Sequence, residues 1–159
     1  MAYLIDGNNL LGFLFPGWHR DPENKLKLVR RLIAFHRSKR DRIILVFDGA
    51  PVPDPAEMAL PEERFTILYP DRGSSADSII SELLAAGGDK RHLMVVSSDR
   101  AIRTAARLAG ARSLTGREFS AELNRTLRER RAEREMDKSE PPPTALETRL
   151  WSQVFKERK

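Results

Sequence analysis

Short, nearly continuous apolar runs recur along this chain between stretches of helical periodicity, and three of the runs close on aspartate. "AYLID" ends at Asp6, "RIILVFD" at Asp48 and "HLMVVSSD" at Asp99. A run of β-branched and aliphatic residues without polar alternation is a strand covered on both faces. Helices must therefore lie on either side of the sheet that these runs build, and strands alternating with helices pair in parallel through right-handed crossovers. The expected fold is α/β, a three-layer α/β/α arrangement with a mostly parallel central sheet. In such a sheet the carboxyl ends of the strands share one edge, and the loops leaving that edge make the ligand site.

The elements follow from the pattern between the runs. "AYLID" is the first strand, and Gly-Asn-Asn after it reads as a turn. Beyond a loop holding Pro16, Gly17 and Pro22, residues Leu26, Val29, Leu32, Ile33 and His36 predict an amphipathic helix from about 24 to 38, with His36 in a structural place on its apolar face. "RIILVFDG" is the second strand. Pro51, Pro53, Pro55 and Pro61 make the next stretch a loop with at most one helical turn. "RFTILYP" is the third strand, and Ser74 or Ser75 caps a helix whose stripe is Ala76, Ile79, Ile80, Leu83 and Leu84, with Asp77 in its first turn. "HLMVVSS" gives a fourth strand before a helix over about 99–108, and "ARSL" a short fifth. A long charged helix, 117 to about 136, carries Phe119, Leu123 and Leu127 on one side. The expected organisation is one domain over 1–136, then a Pro-containing linker and basic tail over 137–159, in which Leu146, Leu150, Trp151, Val154 and Phe155 suit a short helix.

At 159 residues, 40% hydrophobic and 32% charged, the chain has the size and composition of one globular domain. No apolar run approaches the length that spans a bilayer, and the first residues carry an early Asp and no basic leader, so a cytoplasmic protein is expected with no membrane partner. With no cysteine there are no disulfides and no thiolate metal ligands. The net charge of +5 is unevenly placed: residues 1–99 hold 13 Lys/Arg against 14 Asp/Glu, residues 100–159 hold 15 against 9. A basic region beside an acidic pocket suits a polyanion held by its phosphates.

Asp6, Asp48, Asp77 and Asp99 should meet at the carboxyl edge of the sheet. Taken singly, each is explained as a cap or turn residue. Together they repel one another, and a hard divalent cation with oxygen ligands relieves the repulsion. Asp6, Asp77 and Asp99 are the expected ligands for Mg²⁺ or Mn²⁺, with Asp48 a fourth carboxylate that binds a second ion or orients a water. Asn8 and Asn9 would orient ligands through their amides, Gly7 would let the backbone pass close by, and Ser97 and Ser98 would hold water or ligand. Arg72, Arg100 and Arg103 lie near the same edge as candidate phosphate contacts. Trp18, Tyr69 and Phe13 are candidates for base stacking, with core packing the favoured role for Phe13 and Tyr69. His19, His36 and His92 share no metal-ligand spacing.

The motifs "LIDGNNLL", "LVFDG", "GSSADSII" and "VVSSDRAIRTAARLAGARSLTGREF", in that order, resemble the YacP-like NYN domain ribonucleases, relatives of the PIN-domain nucleases, over roughly residues 2–127. The resemblance implies a PIN-like, Rossmann-like α/β/α fold, Mg²⁺- or Mn²⁺-dependent endonucleolytic cleavage of RNA, and acidic ligands at Asp6, Asp77 and Asp99. It further implies mRNA as substrate and the ribosome as a partner. For the oligomeric state, which the sequence leaves open, a monomer is the favoured expectation. Asn8 departs from the pattern, since many relatives carry an aromatic residue after the Asp-Gly pair; that bears on substrate contact more than on the chemistry. Two other readings compete. One is a non-catalytic RNA- or ribosome-binding module. The other is a phosphatase using Asp6 as nucleophile, weakened because position 8 is Asn where a second acid is expected. A dinucleotide-binding domain is poorer still, for no Gly-x-Gly-x-x-Gly follows the first strand.

Overall fold

The apolar runs form a five-stranded sheet in the computed structural model, which describes residues 1–49, 63–139 and 144–156 apart from the side chains of Glu147, Trp151 and Phe155. The strands are β1 (Ala2–Asp6), β2 (Arg42–Val46), β3 (Phe65–Leu68), β4 (Leu93–Val96) and β5 (Arg112–Leu114). Their order is β3-β2-β1-β4-β5, and each of the four pairings is parallel. The helices are α1 (Gly7–Leu14), α2 (Glu23–Lys39), α3 (Ala76–Ala85), α4 (Arg100–Leu108), α5 (Gly116–Ser139) and α6 (Ala145–Lys156).

Successive side chains of a strand face opposite ways, and the two faces fill separate cores. Tyr3, Ile5, Ile43, Leu45 and Val96 pack with Leu10 and Leu11 of α1, with Leu28, Leu32 and Phe35 of α2, and with Phe119 and Leu123 of α5. Leu4, Val46 and Val95 pack with Ala76, Ile80 and Leu84 of α3 and with Ile102 and Ala106 of α4. Three layers result, as the uninterrupted apolar runs require. Tyr3, Phe35 and Phe119 meet as an aromatic triad at centroid separations of 5.4 to 5.6 Å. His36 has the structural place expected of it: it is buried, and its Nδ1 donates to the Asp41 carbonyl at 2.6 Å.

The order of the strands matters more for function than their number. The chain builds outward from β1 in one direction to β3, then returns to start β4 on the other side of β1. At such a reversal, neighbouring crossovers leave on opposite faces and a crevice opens between the two strand ends. Here it opens between Asp6 and Ser97, the residues at and just beyond the carboxyl ends of β1 and β4.

One local expectation is overturned. Gly7-Asn8-Asn9 is not a turn but the first turn of α1, entered directly from β1. Asp6 has extended dihedrals and its carboxylate accepts from the Asn9 N–H, which makes it the N-cap, while Leu10 and Leu11 are fully buried. The Pro-rich stretch read as a loop and the "EPPP" of the linker lie outside the described residues, as do the side chains of Trp151 and Phe155. The described residues divide into two compact units, Met1–Leu127 and Arg128–Lys159. In the second, Leu146, Leu150 and Val154 are exposed along α6. Among the described residues no helix is long and apolar enough to cross a membrane.

The tight step from β1 into α1 depends on a missing side chain. A Cβ on Gly7 would stand 2.5 Å from Cδ1 of the buried Phe47 and 2.9 Å from the Val46 carbonyl oxygen. Neither neighbour has room to retreat, so Gly7→Ala should lower stability by about 1–3 kcal/mol, the usual cost of overpacking. The check is a urea melt, with Phe47→Leu in the Gly7→Ala background recovering part of the loss; an unchanged midpoint for Gly7→Ala would contradict the close approach.

Candidate functional site

All four aspartates arrive at the carboxyl edge, each by a separate route. Asp6 ends the central strand, Asp48 follows β2, Asp77 sits in the first turn of α3 and Asp99 caps α4. Three of them spend one oxygen on the backbone. Asp6 Oδ1 accepts from the Asn9 N–H (3.4 Å), Asp48 Oδ1 from the Ala76 N–H (2.7 Å), and Asp99 Oδ1 from the N–H groups of Ala101 and Ile102 (2.8 and 3.1 Å). Capping and site formation are thus not alternatives here. The bonds that start the helices also fix the carboxylates in place, and among the described residues nothing hydrogen-bonds Oδ2 of Asp48 or Asp99.

Asp6 is only 7% exposed. Its Oδ2 accepts from the Ser97 hydroxyl at 3.1 Å, and the Ser97 oxygen in turn accepts from the Asp99 N–H at 3.1 Å. Ser97 therefore joins the ends of β1 and β4 across the crevice. Burial pushes the Asp6 carboxyl up to about 6, with the charges of Asp77 and Asp48 adding to the effect and the bonds from Asn9 and Ser97 opposing it. Asp77 is exposed but also raised, first by partial desolvation and then by Asp99 and Asp48. Asp6 thus feels Asp77 and Asp48, and Asp77 feels Asp99 and Asp48.

Asn8 and Asn9 bind backbone. Asn8 Oδ1 accepts from the Asp48 N–H (3.1 Å) and Asn9 Oδ1 from the Ser98 N–H (3.0 Å), so two adjacent residues of α1 hold the loops after the strands on either side. Ser98 Oγ accepts from the Gly116 N–H at 3.1 Å, fastening the start of α5 to the same loop. There Thr115 and Glu118 form a reciprocal capping box, with N–H to side-chain distances of 2.7 and 3.2 Å. Arg72 and Arg100 are exposed at the edge; Arg103 is half-buried, its Nε has no hydrogen-bond partner, and its charge is felt by Glu118.

Lys25 was not singled out by its sequence context. Its Nζ donates to the Asp48 carbonyl at 3.4 Å and lies over the rings of Phe47 (5.3 Å) and Trp18 (5.8 Å). Burial pulls its pKa down while Asp48 opposes that. The signal was present: Lys25 stands at helical spacing from the buried Leu28, Val29 and Leu32, a charge set into an apolar stripe. Tyr69 stacks on Phe47 at 5.9 Å as a packing residue, whereas Phe13, for which core packing was favoured, is 43% exposed.

The donor set is hard oxygen, the chemistry that Mg²⁺ and Mn²⁺ prefer. Among the described residues no three His, Cys, Asp or Glu close into a group that could hold an ion. The arrangement fits a hydrated ion taking one or two carboxylates and keeping its waters, and not an all-protein cage.

The fold and this acidic crevice are matched by a known family: the YacP-like NYN domain profile covers residues 3–159. The chain belongs to that family. Membership in the YacP-like NYN family implies nuclease activity, and nucleases of the NYN and PIN-like kind usually use divalent metal ions. Two crystal structures of Rae1 (YacP) from Bacillus subtilis share the α/β fold. One, of a single-substitution mutant, has a TM-score of 0.68 at 24% identity, covering 94% of this chain and 90% of its own. The other has a TM-score of 0.66 at 24% identity, covering 99% and 91%. No curated protein matches the sequence.

The raised carboxyl of Asp6 sets a pH dependence. Between its ordinary value near 4 and about 6 the folded chain binds more protons than the unfolded one, so stability falls as pH rises through that window and stays reduced above it. Asp6→Asn keeps an oxygen for the Asn9 N–H, meets Ser97 with an N–H donor in place of an acceptor, and removes the charge. Without divalent ions it should be more stable than the parent at pH 8, by on the order of 2–3 kcal/mol at most, and no different near pH 4. Thermal melts across pH measure this; a variant less stable at pH 8 would show that the charge is not what burial disfavours.

Proposed function

We propose that this protein is a Mg²⁺- or Mn²⁺-dependent endoribonuclease. The observation that carries the reading is the gathering of Asp6, Asp48, Asp77 and Asp99 at the strand reversal of a chain in a nuclease family, where Asp48 and Asp77 act on Asp6 and Asp48 and Asp99 act on Asp77. Four carboxylates from four segments gain nothing from one another's company unless a cation or a proton joins them. Asp6, Asp77 and Asp99, with Asp48, would share the ion, one or two of them binding it directly and the others reaching it through its waters. Bound there, a divalent ion lowers the pKa of a coordinated water and neutralises charge on the phosphoryl group.

The chain's own residues supply placement. Asp6, buried and clamped by Ser97 and the Asn9 amide, is the fixed wall of the site, while Asp77 and Asp99 are exposed and face the substrate side. Asn8 and Asn9 keep the loops bearing Asp48 and Asp99 at constant separation from Asp6. Arg72, Arg100 and Arg103 are assigned to RNA phosphates, and the basic excess of residues 100–159 draws the polyanion in by a salt-sensitive attraction. Water attacks phosphorus of the RNA backbone and the leaving oxygen departs on the far side. The setting we assign is cytoplasmic mRNA, engaged with the ribosome, cut by the monomer.

Labelled single-stranded RNA incubated with Mn²⁺ tests this. The parent chain should cut internally, EDTA should abolish cutting, and Asp6→Asn and Asp77→Asn should each lose at least about a hundredfold, the scale of a disrupted metal or general-acid–base contribution. Mn²⁺ should also raise the melting temperature of the parent at pH 8 more than that of Asp77→Asn. Undiminished cutting by both variants removes the assigned site, and tight RNA binding without cutting or Mn²⁺ uptake would favour a binding module.

A further inference from the structure

We propose that Phe13 and Arg117 form a stacking platform for one unpaired nucleobase beside the carboxylate crevice, so that the enzyme takes its RNA single-stranded at the bond it cuts. The proposal rests on the nuclease reading above and adds a substrate-binding place to it. Leu10 and Leu11 of α1 are fully buried, but Phe13, on the same helix, turns its ring to solvent and is 43% exposed. The guanidinium carbon of Arg117 lies 6.0 Å from the centroid of that ring. An exposed phenyl ring braced by a planar cation is a surface on which any base can stack, because every base has a π-face and Arg adds cation–π attraction.

Gly116 ties this pair to the site. The position its Cβ would take is 3.4 Å from Asn9 Oδ1, 3.5 Å from Ser98 Oγ and 3.6 Å from Phe13 Cβ. One point in space thus touches the amide that holds the Ser98 loop, the hydroxyl next to Asp99 and the root of the exposed ring. Ionic contacts to the phosphates weaken as salt rises and do not fix the place of any one base. Stacking holds a base without regard to charge, and a base within a duplex is already stacked on its neighbours and unavailable.

The test is steady-state cleavage of a single-stranded RNA with Mn²⁺, in which one abasic ribose is moved along the strand. The parent chain should lose about tenfold in kcat/KM when the missing base is at one position next to the cut, in keeping with the worth of one aromatic stack. Phe13→Ala should lose about tenfold on intact RNA, equally at low and high salt, and should no longer distinguish the abasic strands. Phe13→Trp should restore both. Arg117→Ala should fall part of the way, more at low salt. Phe13→Ala cutting like the parent, or retaining the same abasic sensitivity, overturns the platform and leaves the nuclease reading intact. A parent chain that cuts no RNA overturns the nuclease reading, and the platform with it.

Discussion

A buried negative charge at the end of the central strand organises everything around it. Asp6 cannot leave, because it caps α1, and it cannot be surrendered to water, because β1 is the middle strand and its end is roofed by α1 and the loop after β4. Two hydrogen bonds offset part of the desolvation, one from the Asn9 N–H and one from Ser97. The remainder is left standing, which is what the raised carboxyl records. A molecule selected for stability alone would place Asn or Ser at such a cap. Keeping an acid there, with Asp77 and Asp48 adding to its burden, is a cost that a function requiring negative charge explains.

The economy of the site lies in the two oxygens of a carboxylate. In Asp48 and Asp99 one oxygen starts a helix or fastens a loop, so each carboxylate is oriented by the secondary structure it helps to nucleate. Among the described residues the acids do not close into a cage, an arrangement that suits an ion retaining most of its water.

Much of this was legible in the sequence. Unbroken apolar runs foretold covered strands, the stripe from Ala76 to Leu84 foretold α3 with Ser75 as its cap, and the aspartates foretold their common edge. The family was legible in the order of its motifs. What failed was local and has one cause. Asp-Gly-Asn-Asn has the composition of a turn, and nothing in four residues reveals that the next apolar pair, Leu10 and Leu11, will be buried and draw the segment into a helix. Once α1 is in place, the side-chain amides of Asn8 and Asn9 meet the Asp48 and Ser98 backbone, and Phe13 lies outside the core that its apolar character suggests. Lys25 escaped for a related reason: a cation among apolar residues is invisible until the carbonyl it meets, 23 positions away, is brought beside it.

The strand order β3-β2-β1-β4-β5 has a temporal corollary for a protein made from one end. The first aspartate leaves the ribosome at residue 6, but its hydroxyl partner, Ser97, and the last acid, Asp99, are more than ninety residues behind, on the strand that closes the other side of β1. A nascent chain carrying the first three strands has half a crevice and an acid without its clamp. Whatever hydrolytic capacity the folded domain has is therefore withheld until β4 docks beside β1 and brings Ser97 and Asp99 to the crevice.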